Sequence, residues 1–331
     1  MTPNPPRPDP GSAMGPPIRL GVSSCLLGHE VRWDGGHKRD AFVTDWLGPF
    51  VEWVPVCPEV EAGMGIPRPT LQLAGEGAAE AARLVEVKSR RDHTPGMKRY
   101  AAGRVEALRE LELCGYVLKH GSPSCGMTRV RVWRKTGMAE RIGQGLFAAA
   151  LLEACPELPV EEEGRLHDAK LRENFVERVF AYRRLRDLFA GRWTRGRVVA
   201  FHTAHKLQLM AHSTAAYREL GVLVAGVGDT PRAEFRLAYE RQFMAALGVM
   251  ATPGRHANTL QHAAGHLKKG LDSAGRTELD ALIHDDRKGL VPLIVPITLL
   301  RHHTRVLDIE YLNGQTYLEP HPRELMLRNH V

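Results

Sequence analysis

A bilayer-spanning segment is missing from this 331-residue chain: its longest apolar run, Gly289 to Leu300, is too short to cross and is broken by Pro292 and Pro296. The first seventeen residues lack the apolar block of a secretory signal. They hold seven prolines instead, and such a segment cannot build a core, so residues 1–17 are expected to be a disordered tail. Cysteine is scarce and odd in number, five in all, which argues against a disulfide framework and for a reducing compartment; a cytoplasmic enzyme is the expectation. Internal repeats and CxxC pairs are absent as well. What the chain does have is 43% apolar and 25% charged residues, ordinary for globular protein, at a length that accommodates two cores.

Charge is unevenly spread. Residues 1–164 hold 20 Lys and Arg against 21 Asp and Glu, whereas residues 165–331 hold 25 against 17, so the formal charge of +7 belongs to the second half. A polyanion partner for that half follows as one reading, a merely basic surface as the other.

Short β-rich runs alternate with helical stretches in the first half. Ile18 to Val22, Val51 to Val56, Leu84 to Val87, Tyr116 to Leu118 and Leu158 to Val160 read as strands. A helix over Met97 to Leu113 places Ala101, Val105, Leu108 and Glu112 on one stripe, broken by its last member. This alternation predicts an open, largely parallel α/β sheet over residues 18–160. Residues 165–331 read instead as an all-α domain, with no strand before Arg305 to Tyr311. Its first helix carries Leu171, Phe175, Val179, Tyr182, Leu185 and Phe189 on one stripe, with arginines mostly off it, as in a surface helix with a basic outer face. Further helices are expected at Arg197 to Met210, Arg232 to Leu247, Pro253 to Leu271 and Thr277 to Asp286. The acidic stretch Glu161 to Arg165 is the expected boundary.

On this map Cys25, Cys57 and Cys125 each fall past the carboxyl end of a strand, the edge where open α/β sheets bind ligands. Three thiols separated by 32 and 68 residues could therefore converge in space. Cys114 and Cys155 lie elsewhere and read as small buried hydrophobes. The loops Ser23-Ser24-Cys25-Leu26-Leu27-Gly28, Cys57-Pro58-Glu59 and Ser122-Pro123-Ser124-Cys125-Gly126 combine a thiol with small residues, proline and glycine. Spacing alone leaves a soft-metal or cluster site and three unrelated buried cysteines equally open.

Those loops, with Arg32-Trp33-Asp34-Gly35-Gly36, Ala62-Gly63-Met64-Gly65, Pro67-Arg68 and Leu118-Lys119, resemble the thiouracil desulfidase family over residues 18 to 158. The resemblance implies a Rossmann-like domain in which Cys25, Cys57 and Cys125 ligate a [4Fe-4S] cluster, one iron being left without a protein ligand. Through Arg197 to Lys206 and Leu209 to Ser213 the second half resembles the helical domain of unknown function often fused to that family. The two-domain arrangement is similar to that of RNA 4-thiouridine desulfidases.

Thiolates suit iron-sulfur clusters, and an iron with an open position is a Lewis acid for the soft sulfur of a thiocarbonyl. Water then attacks the ring carbon, giving uridine and sulfide without electron transfer. Glu59, two residues past Cys57, is the expected general base; the competing reading is a first-turn glutamate favoured by the helix dipole. The resemblance points to Glu59 as well. Ser122 is the second catalytic candidate, orienting substrate or relaying a proton, against an ordinary turn serine. Asp34, Lys119 and Ser124 are expected to line the pocket.

Twelve of the sixteen histidines lie in the helical half, yet no acidic or cysteine third ligand stands at a recognisable spacing, so they read as satisfied or RNA-facing rather than zinc-binding. Arg183, Arg184, Arg186, Arg192, Arg195, Arg197 and Lys206 are the expected phosphate contacts. Together these readings describe a tRNA 4-thiouridine desulfidase with no membrane and no obligate protein partner. Free 2-thiouracil or 4-thiouracil is the alternative substrate. Other classes are a non-catalytic cluster-bearing RNA-binding or stress-response protein, and a zinc protein with three cysteines and a water.

Overall fold

The computed structural model describes residues 17–76 and 81–331; all of the expected proline-rich tail except Pro17 lies outside the described residues. The chain divides into two compact units between His167 and Asp168.

Eight strands are described in the first unit: β1 (Ile18–Ser23), β2 (Val51–Val56), β3 (Leu71–Ala74), β4 (Arg83–Glu86), β5 (Gly115–Leu118), β6 (Val130–Trp133), β7 (Ala139–Gly143) and β8 (Val160–Glu162). Four of them make a wholly parallel sheet in the order β2-β1-β5-β8. Every residue of β5 is buried, as is most of β1, in keeping with strands covered on both faces. Gly21 of β1 has a steric cause: a Cβ there would stand 2.1 Å from the Tyr116 ring on the neighbouring strand.

Glu161 and Glu162 are not a linker. They complete β8, pairing with Val117 and Leu118, and both are buried. The expected boundary thus moves past them, because hydrogen bonds from Arg165 and from the Met127 and Glu162 amides compensate the buried carboxylates.

The remaining strands form a mixed sheet in the order β4-β3-β6-β7. Three of these, β3, β6 and β7, escape sequence reading. They are four or five residues long, and β7 exposes four of its five residues, so no apolar alternation marks it. Helix α1 (Pro58–Glu61) follows β2, α2 (Thr94–Glu110) precedes β5, and α3 (Leu146–Ala154) precedes β8. Met97, Ala101, Val105 and Leu108 are the buried stripe of α2. Glu112 breaks the pattern because the helix has ended and its φ is 57°.

Helices dominate the second unit: α4 (Ala169–Phe189), α5 (Arg195–His212), α6 (Thr214–Ala225), α7 (Arg232–Gly248), α8 (Pro253–Leu267), α9 (Ser273–Arg287), α10 (Ile294–Val306) and α11 (Glu310–Asn313). Side chains of Asp168, Thr194, Ser213, Thr252 and Asp272 cap the amino ends of α4, α5, α6, α8 and α9, satisfying amides that the helices cannot. The strand considered for Arg305 to Tyr311 is the end of α10 and the start of α11. Nor is α4 a surface helix, since Glu173, Asn174 and Glu177 are buried along with its apolar stripe. Among the described residues no helix is long and apolar enough to cross a membrane.

Candidate functional site

Parallel strands carry the three thiols to one edge. Cys25 opens the turn Ser24–Leu27 immediately after β1, Cys57 caps α1 immediately after β2, and Cys125 closes the loop after β5. Since β1 lies between β2 and β5, their carboxyl ends are neighbours. All three cysteines line one cavity of about 380 Å³, together with Glu59, Lys119 and Ser122. Among the described residues, no three His, Cys, Asp or Glu side chains are grouped as ligands of a single metal ion.

Local structure explains each placement. The Cys125 loop is held from inside by Ser122, whose Oγ accepts from the Ser124 amide at 3.2 Å and the Cys125 amide at 3.1 Å. From outside it is held by α3, where the Phe147 amide donates to the Ser124 carbonyl at 3.0 Å. Gly145 permits that approach, because a Cβ would meet the Ser124 carbonyl carbon at 2.5 Å. Cys57 is fixed by Glu61, whose Oε1 accepts from the Cys57 amide at 3.0 Å. Glu61 therefore serves the helix end, which leaves the Glu59 carboxylate to face elsewhere.

Electrostatics discourage bare thiolates. Burial pushes the Cys25 thiol up to about 11, with Lys119 opposing and Cys57 adding to the rise. It raises Cys57 likewise, and Cys125 further still, although a Ser23 hydroxyl bond opposes the latter. Cys57 adds to the rise at Cys25, and both add to the rise at Cys125, so an anion on either disfavours ionising the next. Anionic sulfur here needs a compensating cation, which soft-metal ligation supplies while displacing the protons.

Glu59 is held from two sides. Its Oε2 accepts from Arg68 Nε at 2.9 Å and Nη2 at 2.5 Å, and its Oε1 accepts from Ser124 Oγ at 2.9 Å. The sequence motif contains Arg68 and Ser124, but nothing in their spacing announces that they meet Glu59. Lys119 lines the cavity while ion-paired to Glu163, and its amide donates to Ser23 Oγ at 2.9 Å. The pocket roles expected for Asp34 and Ser124 need correction. Asp34 is exposed and does not line the cavity; its Oδ1 accepts from the Gly36 amide at 3.1 Å, the main reason its carboxyl lies below the usual range. Ser124 is fully buried behind Glu59. Trp33 and Arg32 line the cavity in their stead, Trp33 being 43% exposed. Cys114 and Cys155 lie outside it, Cys114 buried and Cys155 capping α3.

In the second unit the predicted cations separate into two sets. Arg184 turns inward: Nε donates to His205 Nε2 at 3.2 Å and Nη1 to the Pro320 carbonyl at 2.9 Å, and burial lowers its pKa to about 10. As a phosphate contact it is corrected to a structural residue. Arg183 pairs with Asp187 at 3.0 Å, and Arg186 stands over the Tyr182 ring. Lys206 is half-buried, whereas Arg192, Arg195 and Arg197 are exposed.

The model of the 2-thiouracil desulfurase family matches residues 20–163, and that of the DUF1722 family, proteins of unknown function, matches residues 206–322. The uncharacterized protein YbgA of Escherichia coli (strain K12) is 33% identical over 153 residues, 46% of this chain and 90% of the relative. YbbK of Bacillus subtilis (strain 168), also uncharacterized, is 30% identical over 137 residues, 40% of this chain and 89% of the relative. A solved structure, the [4Fe-4S]-dependent thiouracil desulfidase TudS, shares 31% identity over 45% of this chain and 93% of its own, with a TM-score of 0.38. The chain belongs to the 2-thiouracil desulfurase family over residues 20–163 and to the DUF1722 family over residues 206–322.

Proposed function

We propose that the first unit is a desulfidase that exchanges the sulfur of a thiolated uracil for oxygen from water, with a [4Fe-4S] cluster on Cys25, Cys57 and Cys125, and that its substrate is 4-thiouridine in tRNA. One observation carries the reading: two buried thiols, a half-buried third and a carboxylate line a single cavity in a chain of the 2-thiouracil desulfurase family. Three soft donors that are disfavoured as bare anions fit a cluster better than they fit an unmetallated pocket. With one iron free of protein ligands, such a cluster would supply a soft Lewis acid for the thiocarbonyl sulfur.

The chain's own residues do the rest. Glu59 accepts a proton from water as the water oxygen bonds to the ring carbon. The water's second proton goes to the sulfur, the carbon–sulfur bond breaks as the carbonyl forms, and hydrosulfide leaves, with no change in oxidation state and no reductant consumed. Both acceptor sites of the Ser122 hydroxyl are engaged by amides, so the group it can offer substrate is its proton. Lys119, paired with Glu163, stands close enough to Cys25 to oppose the rise of its thiol. Trp33 offers an aromatic face on which a base can stack.

The basic composition of the second half supports an RNA substrate, its cations gripping phosphates while the cavity receives the base. Free thiouracil is the second reading, favoured by the family's name and by a cavity of small-molecule size. Anaerobic incubation with thiolated bulk tRNA, followed by nucleoside analysis and a sulfide assay, tests the proposal. Uridine and sulfide should appear in equal amounts as 4-thiouridine disappears. Turnover of the free base alone would leave the second reading standing, and no sulfide from either would end both.

A further inference from the structure

Arg68 is a charged side chain only 4% exposed, and most of its donors are accounted for. Nε and Nη2 donate to the same oxygen of Glu59, while Nη1 donates to the carbonyls of Val31 at 3.0 Å and Gly65 at 3.1 Å. The backbone reinforces this, the Arg68 amide donating to the Trp33 carbonyl at 2.9 Å. The guanidinium thereby joins the segment after Cys25, the turn after Cys57 and its own loop. Val31 is shared further, since its carbonyl also faces the Cys57 thiol at 3.7 Å.

Counting acceptor sites on Glu59 gives the arrangement a direction. An ionised carboxylate has about four such sites, two on each oxygen. Arg68 occupies both on Oε2, and the buried Ser124 hydroxyl occupies one on Oε1. One site on Oε1 remains for a water. A lysine could not reproduce this, because an ammonium lacks the planar fork that reaches one carboxylate oxygen and two carbonyls at once.

We infer that Arg68 is a positioning residue for the desulfidase reaction, fixing Glu59 so that Oε1 is the atom that takes the proton of the attacking water. The inference rests on the desulfidase reading above. In the step it serves, the water oxygen bonds to the thiocarbonyl carbon as one of its protons passes to Glu59 Oε1; the other goes to the sulfur, which leaves as hydrosulfide with the carbon–sulfur bond pair as the carbonyl forms. Arg68 borders the same cavity, but its side-chain hydrogen bonds go to Glu59 and to two backbone carbonyls, so it serves the reaction through Glu59.

The test compares full-length wild type, Arg68→Ala and Arg68→Lys, prepared anaerobically, with 4-thiouracil as substrate. Arg68→Ala should keep its iron and sulfide content and a KM within about twofold, yet lose kcat by roughly a hundredfold, as misplacement by about an ångström does. Millimolar guanidinium should restore kcat in Arg68→Ala by roughly tenfold while leaving wild type unchanged; a merely structural arginine would show no such rescue. A kcat within about threefold of wild type in cluster-loaded Arg68→Ala overturns the inference. Should Arg68→Ala fail to load, Arg68→Lys decides: with normal iron, a kcat below about a tenth of wild type supports positioning and a normal kcat overturns it. If wild type releases no sulfide from 4-thiouracil, the same comparison is made on thiolated tRNA; no sulfide from either would sink the desulfidase reading, and the inference with it.

Discussion

The Arg328 guanidinium reaches back 155 residues to Glu173, Nε to Oε1 at 2.9 Å, and both side chains are buried. Its Nη2 faces Glu177 at 3.6 Å, and Glu177 in turn takes Gln208 Nε2 at 2.9 Å and lies 3.3 Å from His212 Nε2. The other His212 nitrogen faces the Val249 carbonyl at 2.6 Å, so both ring nitrogens meet acceptors. Burial pushes the His212 pKa down, but Glu177 and that carbonyl outweigh it and the net shift is upward. Two carboxylates, an arginine and a histidine of raised proton affinity thus meet inside the helical unit, tying its C-terminal segment to α4.

Removing one member of such a group leaves an uncompensated buried charge. Arg328→Met should therefore destabilise the second unit by about 3–5 kcal/mol, read from its unfolding transition in urea. A loss under about 1 kcal/mol would mean that the carboxylates find other partners or protonate cheaply.

His205 responds to pH with its own sign. Its Nδ1 donates to the Phe201 carbonyl at 2.7 Å and its Nε2 accepts from Arg184, an arrangement that only the neutral ring makes. Burial, aided by Arg184, lowers its pKa to about 3, against about 6.5 for an unfolded chain. Above pH 6.5 neither state binds the proton and the contribution is complete. Below it the unfolded chain takes a proton that the folded one refuses, so stability falls as pH drops from 6.5 toward 3. Between pH 7.5 and 5 this amounts to about 2 kcal/mol. His212, raised when folded, runs oppositely: its stabilisation is complete below pH 6.5 and is lost as pH rises through its folded value. The difference between wild type and His205→Gln isolates the first effect, and the variant should lose about 2 kcal/mol less over that interval. Parallel pH profiles for the two proteins would refute the assignment.

Cluster ligation has a direct readout. Cys25→Ala, Cys57→Ala and Cys125→Ala should each lose the broad visible absorption and nearly all bound iron under anaerobic purification. Cys114→Ala and Cys155→Ala, altered outside the cavity, should keep both. Stoichiometric zinc with no iron or labile sulfide in wild type would replace the cluster by the zinc reading.

How much of this was legible beforehand varies with the kind of residue. The three thiols could be placed because each follows a strand, and β2, β1 and β5 prove adjacent, so a one-dimensional pattern sufficed. Glu59 could be placed by its distance from Cys57. Its partners could not, since Ser124 lies 65 residues away and Arg68 meets it through loop conformation rather than periodicity. Asp34 was misplaced for a related reason: motif membership does not say whether a side chain closes a turn or faces the cavity. Glu161 and Glu162 looked like a linker because acidic residues are rarely buried, a rule that yields where amide and arginine donors surround the carboxylates. Arg184 looked exposed because its inward partners, His205 and the Pro320 carbonyl, come from distant segments.

Trp33 should govern affinity more than rate. Stacking of a base on an aromatic side chain is worth about 1–3 kcal/mol, so Trp33→Ala should raise KM for 4-thiouracil by roughly tenfold with little change in kcat. Iron content should stay normal, because Trp33 is not among the thiol donors. An unchanged KM would place the base against another wall of the cavity.

RNA binding through the second unit is best tested at the arginines whose backbone anchors leave them exposed. Arg195 donates to the Gly228 carbonyl at 3.1 Å and Arg197 to the Asp187 carbonyl at 3.2 Å, while Arg192 stands nearby in the turn between α4 and α5. Neutralising all three to Gln should weaken tRNA binding alike across sequences. It should also flatten the slope of log affinity against log salt by roughly 0.7 to 0.9 for each phosphate contact removed, since each contact releases condensed counterions. Turnover of 4-thiouracil should persist, because no counterion release accompanies binding of a neutral base. Arg184→Gln serves as the contrast: its donors face inward, so it should lower the unfolding midpoint of the helical unit with far less effect on the salt slope. If the triple variant binds tRNA with wild-type affinity and wild-type slope, these arginines are not the RNA grip, and the excess charge of the second half serves another partner.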